Sequence, residues 1–384
     1  MTRVNNWLRV VVVTRMAVIM AGVLCTSCKG TQNSEYLVGV LGPFTGEGAT
    51  YGDAMKRGIE LAVEETNSKG GIDGIQLRAV YEDSMLQPKT GIDGFNKLVR
   101  AQQVPVVIGE AASRVTKALA PLAEGSRVVL ISPISTTDSL RDAGDYVFRN
   151  VPSNSVQGAT AAEFVTGRLS AGRIAIYYKN DEYGLDLTAG FKRGLQDTPA
   201  QVVFTDAYES EQRDFRDSLT KVKAANPDLV YFPGNYQESA IILKQAKELG
   251  ISATFVGGDG SYSPELCKIA GKAAEGTYYT LMALPEVDSN RAKAFKDAFS
   301  KRYSMEPGVY DAYSYDAMMV VAEAIRKGGY TGPGMKDAMY EIELDGVTGK
   351  TRFDKYGDVD KPYAVYVVKD GSFVRVPATQ QDAH

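Results

Sequence analysis

The sequence predicts an α/β fold of two doubly wound, parallel-sheet lobes. Short β-rich apolar runs alternate with helical patterns along the chain, as parallel sheets covered by helices require. The alternation restarts once, near Ser170-Ala171-Gly172, where a second βαβ series follows a long helix. A length of 384 residues with 44% hydrophobic and 23% charged content exceeds one average domain and provides an ample core.

The first βα unit is the most explicit. Leu37, Val38, Val40 and Leu41 form the apolar run of a central strand, ended by Gly42-Pro43. Met55, Ile59, Ala62 and Val63 then recur at helical spacing up to the stop at Gly70-Gly71. Open α/β sheets bind ligands at the carboxyl ends of their strands, so Thr45 to Tyr51 is expected to face a crevice. Further strands are expected at Leu77–Tyr81, Val104–Ile108, Val128–Ile131, Ile174–Tyr178, Val202–Thr205, Leu229–Phe232 and Thr254–Val256. Helices are expected at Pro88–Ala101, Val115–Glu124, Val156–Leu169, Leu185–Leu195, Phe215–Ala225 and Glu238–Leu249, and after the second sheet at Arg291–Arg302 and Tyr313–Lys327. The closing segment has turn residues at Gly349, Gly357 and Gly371 between short strands, the pattern of hairpins.

The amino terminus reads as an export signal. Arg3, Arg9 and Arg15 precede the apolar run Met16 to Leu24, which is too short to span a bilayer, a task that takes about 20 residues. The run ends in Leu24-Cys25-Thr26-Ser27-Cys28, which resembles a bacterial lipobox, with residues 1–27 removed and Cys28 lipidated. Cys25 stands where an aliphatic residue is usual. Residues 28–34 then form the lipidated tether, holding an exported protein at a bacterial membrane surface, periplasmic or on the cell surface. Once Cys28 is modified only Cys267 remains, so no intramolecular disulfide can form and the fold rests on its core. A net charge of −4 supplies no basic footprint for nucleic acid.

Several motifs in order resemble the periplasmic binding proteins of the leucine/isoleucine/valine type: Gly42-Pro43-Phe44-Thr45-Gly46, Tyr51-Gly52-Asp53, Asn67-x-x-Gly70-Gly71-Ile72, Ile131-Ser132-Pro133, Tyr183-Gly184, Gly257-Gly258-Asp259-Gly260 and Phe353-Asp354-x-x-Gly357. The resemblance covers Glu35 to about Pro377. It implies that the helices after the second sheet return to the first lobe, so that residues 35–152 plus 285–361 form lobe 1 and 153–284 plus 362–378 form lobe 2. Passages near Asn150, Leu284 and Pro362 would make a three-stranded hinge about which the lobes close. It also implies a monomeric protein without cofactor that carries a small-molecule ligand, an amino acid, to an ABC-type permease. The same cleft would serve an alternative role, a sensor of amides or small carboxylic acids feeding a membrane receptor.

An amino acid presents a carboxylate and an ammonium, and a closed cleft must pair both. Anions suit hydroxyls and N–H groups at helix starts. Gly109–Thr116 and Ser132–Thr137, each after a strand, are such places. Matching the family residue by residue puts Ser113 and Thr136 on the carboxylate, with Ile134 nearby; the plain alternative makes both hydroxyls helix N-caps. Asp259 matches the ammonium-binding position, one methylene shorter than the family's common Glu; the alternative is a turn residue. Tyr51, Tyr183 and Tyr310 fall at contact positions around the ligand side chain. Asn235 replaces an aromatic residue, with Tyr236 next to it as a substitute. Together with Glu110 and Arg114 beside Ser113, that departure opens the site to a polar ligand. Met85 and Ala112 stand where some relatives carry a disulfide.

Catalytic readings find little support. The one histidine is His384, which removes Ser-His-Asp and Cys-His catalysis and histidine metal sites. Gly46 and Gly48 begin a dinucleotide motif whose third glycine is Tyr51, and Gly349-Lys350-Thr351 lacks the first phosphate-loop glycine at Leu344. Asp354, Asp358 and Asp360 lack calcium-loop spacing, and Cys25-x-x-Cys28 has no second ligand pair. The chain is therefore expected not to be an enzyme.

Overall fold

A computed structural model of the chain describes residues 35–284 and 290–377. The expected signal peptide, Cys28 and tether, and His384, lie outside the described residues. In chain order the elements of the first half are β1 (Glu35–Gly42), α1 (Ala49–Ser68), β2 (Gln76–Asp83), α2 (Pro88–Asn96), β3 (Val106–Gly109), α3 (Ser113–Ser126), β4 (Val129–Ser132), β5 (Val147–Arg149) and α4 (Asn154–Glu163). There follow β6 (Arg173–Lys179), α5 (Glu182–Gly194), β7 (Gln201–Tyr208), α6 (Arg216–Ala225), β8 (Leu229–Tyr231), α7 (Tyr236–Glu248), β9 (Thr254–Gly257), α8 (Pro264–Ala270) and β10 (Tyr278–Met282). The last elements are α9 (Asn290–Tyr303), α10 (Val309–Gly328), α11 (Gly332–Glu341), β11 (Leu344–Gly346), β12 (Gly349–Thr351), β13 (Tyr363–Lys369) and β14 (Ser372–Arg375).

The first sheet has the order β2-β1-β3-β4-β5 and is parallel throughout. Its inner strands are apolar on both faces: Val38, Val40, Leu41, Val106, Val107, Ile108, Val129, Leu130 and Ile131 are all fully buried, the composition that helices on both sides of a parallel sheet demand. The second sheet has the order β14-β13-β10-β9-β8-β6-β7. Strands β6 to β10 are parallel, and β13 returns antiparallel to β10, with β14 completing a hairpin. The molecule is thus an α/β protein with two parallel-sheet lobes. Both sheets end their strands toward the same crevice, where the ligand rule for α/β sheets places a site.

Helix α10 follows the second sheet in sequence but packs along α1 of the first lobe. Glycine makes this approach possible: a Cβ on Gly58 would lie 2.1 Å from the Asp311 carbonyl oxygen. Arg57 Nε donates to Asp311 Oδ1 at 2.8 Å, fixing the register of the pair. α10 is buried nearly all round, with Tyr313, Ala317, Met318, Val320 and Val321 fully enclosed, as expected of a helix wedged between layers. Its first turn carries Tyr310 into the crevice.

The expected helices Pro88–Ala101 and Val156–Leu169 form, each changing from α to a single π-helical turn at Lys97–Ala101 and Phe164–Arg168. Strands β5 and β10 and helices α8 and α11 are additions to the sequence reading. β5 is three residues long, too short for any periodicity. α8 is a seven-residue helix begun by Ser263 as N-cap and Pro264, a local signal without a long amphipathic run behind it.

Candidate functional site

The carboxyl ends of β3 and β4 each feed a turn that offers hydrogen-bond donors to the crevice. After β3 the chain enters α3 at Ser113. The helix N-cap is Ala112, and Ser113 makes no capping bond. After β4, Ser132 Oγ accepts from Ser135 N at 2.8 Å and donates to the Glu110 carbonyl at 2.7 Å, tying the two turns together. The capping residue there is Thr137, whose hydroxyl accepts from Ser139 N. The N-cap alternative for Ser113 and Thr136 therefore fails. Both are buried, at 5% and 1% exposure, yet neither hydroxyl is bonded to another described residue. Arg149, also 1% exposed, holds this turn from behind: Nη1 donates to the carbonyls of Thr136 (2.8 Å) and Thr137 (2.6 Å), while Nε and Nη2 grip Asp358 at 2.7 and 3.0 Å.

The opposite wall is built by the turn after β9. Asp259 is 2% exposed, and its Oδ1 accepts from Tyr183 Oη at 2.8 Å. The same Tyr183 oxygen accepts from Gly260 N at 2.8 Å. Two tyrosines from the first lobe reach the turn: Tyr310 Oη donates to the Asp259 carbonyl at 2.6 Å and Tyr51 Oη to the Gly260 carbonyl at 2.5 Å. Their rings pack edge to face at 5.7 Å. Asp259 is thus a buried carboxylate within a tyrosine cluster, and no ion pair reaches it among the described residues, which removes the simple turn alternative. Burial pushes its carboxyl up to about 6, against the nearby Gln157 amide and the Tyr183 hydrogen bond, which favour the charge. Burial likewise raises the hydroxyls of Tyr51, Tyr183 and Tyr310, which stay neutral donors.

Between these walls lies a pocket lined by Ser113, Ile134, Thr136, Tyr51, Tyr183, Tyr310, Asp259 and Asn235, eight of the nine residues expected to touch ligand. The space, with the open solvent at its mouth included, is about 510 Å³. Tyr236 stands behind Tyr51, edge to face at 5.7 Å, and its hydroxyl donates to the Glu47 carbonyl at 3.1 Å instead of lining the pocket. Five lining positions are not among the contacts the sequence reading names: Leu86, Ala111, Ala112, Asp181 and Gly260. Asp181 had a signal, since it caps α5 through Gly184 N at the end of β6. Leu86 had none; it enters through a left-handed turn after β2.

The two lobes touch all around this pocket. Arg114 bridges the Leu86 carbonyl (2.9 Å) and Ser210 Oγ (3.0 Å), Thr137 Oγ1 donates to Asp186 at 2.6 Å, and Arg213 pairs with Glu47 at 2.5 Å. The conformation is closed. Among the described residues no helix is long and apolar enough to cross a membrane, and no group of three His, Cys, Asp or Glu residues could hold a metal ion.

This architecture has known counterparts. Residues 35–372 match the family model described as periplasmic binding protein. The chain is 31% identical over 324 residues to the leucine-, isoleucine-, valine-, threonine- and alanine-binding protein of Pseudomonas aeruginosa, covering 84% of this chain and 86% of that one. It is 30% identical over 346 residues to the leucine-specific-binding protein of Salmonella typhimurium, covering 89% and 93%. Among solved structures it superposes on the substrate-binding protein of a branched-chain amino acid transporter from Streptococcus pneumoniae, in complex with isoleucine, with a TM-score of 0.83, 30% identity and coverage of 89% and 100%. A leucine-binding protein from Thermotoga maritima gives 0.85, with 28% identity and coverage of 89% and 97%. The chain belongs to the periplasmic binding protein family, in its Leu/Ile/Val-binding type, and is a non-enzymatic substrate-binding component of an ABC transporter.

Proposed function

We propose that the cleft binds a small L-α-amino acid, branched-chain or related as in its relatives, and that the protein hands it unchanged to a membrane permease. One observation supports this most: the pocket has two chemically opposite ends. Ser113 and Thr136 offer two unbonded hydroxyls at a helix start and a strand-end turn, which suits a carboxylate. Asp259 offers a buried carboxylate that lacks a cation, which suits an ammonium. Tyr51, Tyr183 and Tyr310 close over the ligand. Closure would turn on the passages near Asn150, Leu284 and Pro362, between lobe 1 (35–152 plus 285–361) and lobe 2 (153–284 plus 362–378). Cys28, lipidated after removal of residues 1–27, would tether the protein to the membrane that holds its permease.

A thermal-shift screen against the L-amino acids and against small amides and carboxylic acids tests the reading, because a ligand bound only by the folded state raises its melting temperature. Stabilisation by at least one α-amino acid, and not by its des-amino analogue, is expected. Stabilisation by carboxylic acids or amides alone would replace this reading with that of an amide or acid sensor.

A further inference from the structure

The cleft holds more polar capacity than a zwitterion uses. With the carboxylate given to Ser113 and Thr136 and the ammonium to Asp259, and with the hydroxyls of Tyr51, Tyr183 and Tyr310 already bonded, three polar lining side chains remain: Arg114, Asp181 and Asn235. Asn235 occupies the N-cap of α7 but makes no capping bond, and its amide is bonded to no other described residue. Asp181 accepts from Gly184 N through Oδ1 at 3.1 Å, leaving Oδ2 unbonded. Arg114 spends Nε and Nη2 on Leu86 and Nη1 on Ser210, and so retains two of its five N–H groups. An aliphatic side chain closed against these groups would strip their water and return no hydrogen bond, a loss for each of them.

The charges narrow the class further. Arg114 comes from the first lobe and Asp181 from the second; burial raises the Asp181 carboxyl, against Lys179, the Gly184 N–H and Arg114, which favour its charge, and Arg114 and Asp181 form no direct pair. A ligand side chain with a net charge meets a like charge here whichever sign it bears. A neutral dipole meets both favourably: its carbonyl can accept from Arg114 and Asn235, and its N–H or O–H can donate to Asp181. Resting on the amino-acid reading above, we infer that Asn235, Asp181 and Arg114 tune the cleft toward neutral hydrogen-bonding side chains, carboxamides foremost, over aliphatic side chains of the same shape.

The test is calorimetric titration of the purified mature protein with the near-isosteric pairs L-asparagine against L-leucine and L-threonine against L-valine. L-Aspartate and L-lysine serve as charged controls. Asparagine is expected to bind at least about tenfold tighter than leucine and tighter than either charged acid, since a site built to hydrogen-bond a ligand discriminates against analogues that cannot. Asn235→Leu should move the asparagine-to-leucine ratio toward leucine by at least about tenfold. Asp181→Ser, which keeps a capping hydroxyl for α5, should move it the same way and serves if Asn235→Leu lowers the ligand-free melting temperature. Leucine binding as tightly as asparagine, or ratios unmoved in both variants, overturns this inference and leaves the amino-acid reading standing. If no α-amino acid binds at all, that reading fails and takes the inference with it.

Discussion

The two walls of the cleft are built on different principles. The wall at the ends of β3 and β4 presents open valences: Ser113 and Thr136 are buried yet unbonded, and only the backbone behind them is held, by Arg149. The wall after β9 is already bonded: Tyr183 engages Asp259 and Gly260, and Tyr51 and Tyr310 cross from the other lobe to lock the same turn. The first wall suits an anion with two neutral hydroxyls, whose unbonded state is a smaller burden than a buried charge. The second buries a formal charge, so its empty state carries the burden that lifts Asp259 to about 6. Ligand binding should therefore be felt more strongly at the second wall than at the first.

The largest expected effect follows directly. Asp259→Ala leaves a bound ammonium without its counter-charge and should weaken amino-acid affinity by about 3–5 kcal/mol, at least a hundredfold, in calorimetric titration. A ligand lacking the amine should bind this variant no worse than the wild type. Next, Arg149→Met leaves Asp358 buried at 8% exposure with only the exposed Arg141, 3.0 Å away, as a cation. A stability loss of about 3 kcal/mol is expected in urea melts, together with weaker binding because the Thr136 turn loses its support. Ser113→Ala and Thr136→Ala each remove one donor to a charged group, and each should cost about 1.5–3 kcal/mol of affinity while leaving stability nearly unchanged, since neither hydroxyl has a protein partner. Equal effects of Asp259→Ala and Thr136→Ala would erase the contrast between the walls.

The smallest effect is that of pH. An ammonium beside Asp259 lowers its carboxyl below the value of about 6 in the empty cleft. The free protein thus binds a proton that the complex releases, and affinity should be flat above that value and fall as pH drops through it. The limiting slope is about tenfold per pH unit. In Asp259→Asn the slope should vanish. A slope unchanged in that variant would assign the proton to another carboxyl: Asp181, which lines the pocket and is raised by burial, or Glu110, fully buried and pushed up to about 7.

The two walls also differ in how far they can be read from the chain. Gly109–Thr116 and Ser132–Thr137 follow recognisable apolar strands, so their place at a crevice is a local inference, and the structure puts Ser113, Ile134 and Thr136 in one pocket. Asp259 was picked out by family resemblance, since its own glycine-rich surroundings equally describe a turn. What made it a buried site residue are tyrosines 76, 208 and 51 positions away, contacts that no local pattern encodes. The Arg149–Asp358 clamp, 209 residues apart, is of the same kind. The fold follows this division. Strands with continuous apolar runs were legible, whereas β5 needs its neighbour β4 to exist at all, and β10 is defined by its partners β9 and β13.

If Asp259 holds the ligand's amine, the two are energetically one unit. A cycle of four calorimetric titrations measures it: wild type and Asp259→Ala, each with the tightest-binding amino acid and with its des-amino analogue. The two deletions are expected to be strongly non-additive, with a coupling of about 2 kcal/mol or more. Additive losses, with the amine contributing as much to the variant as to the wild type, would contradict it.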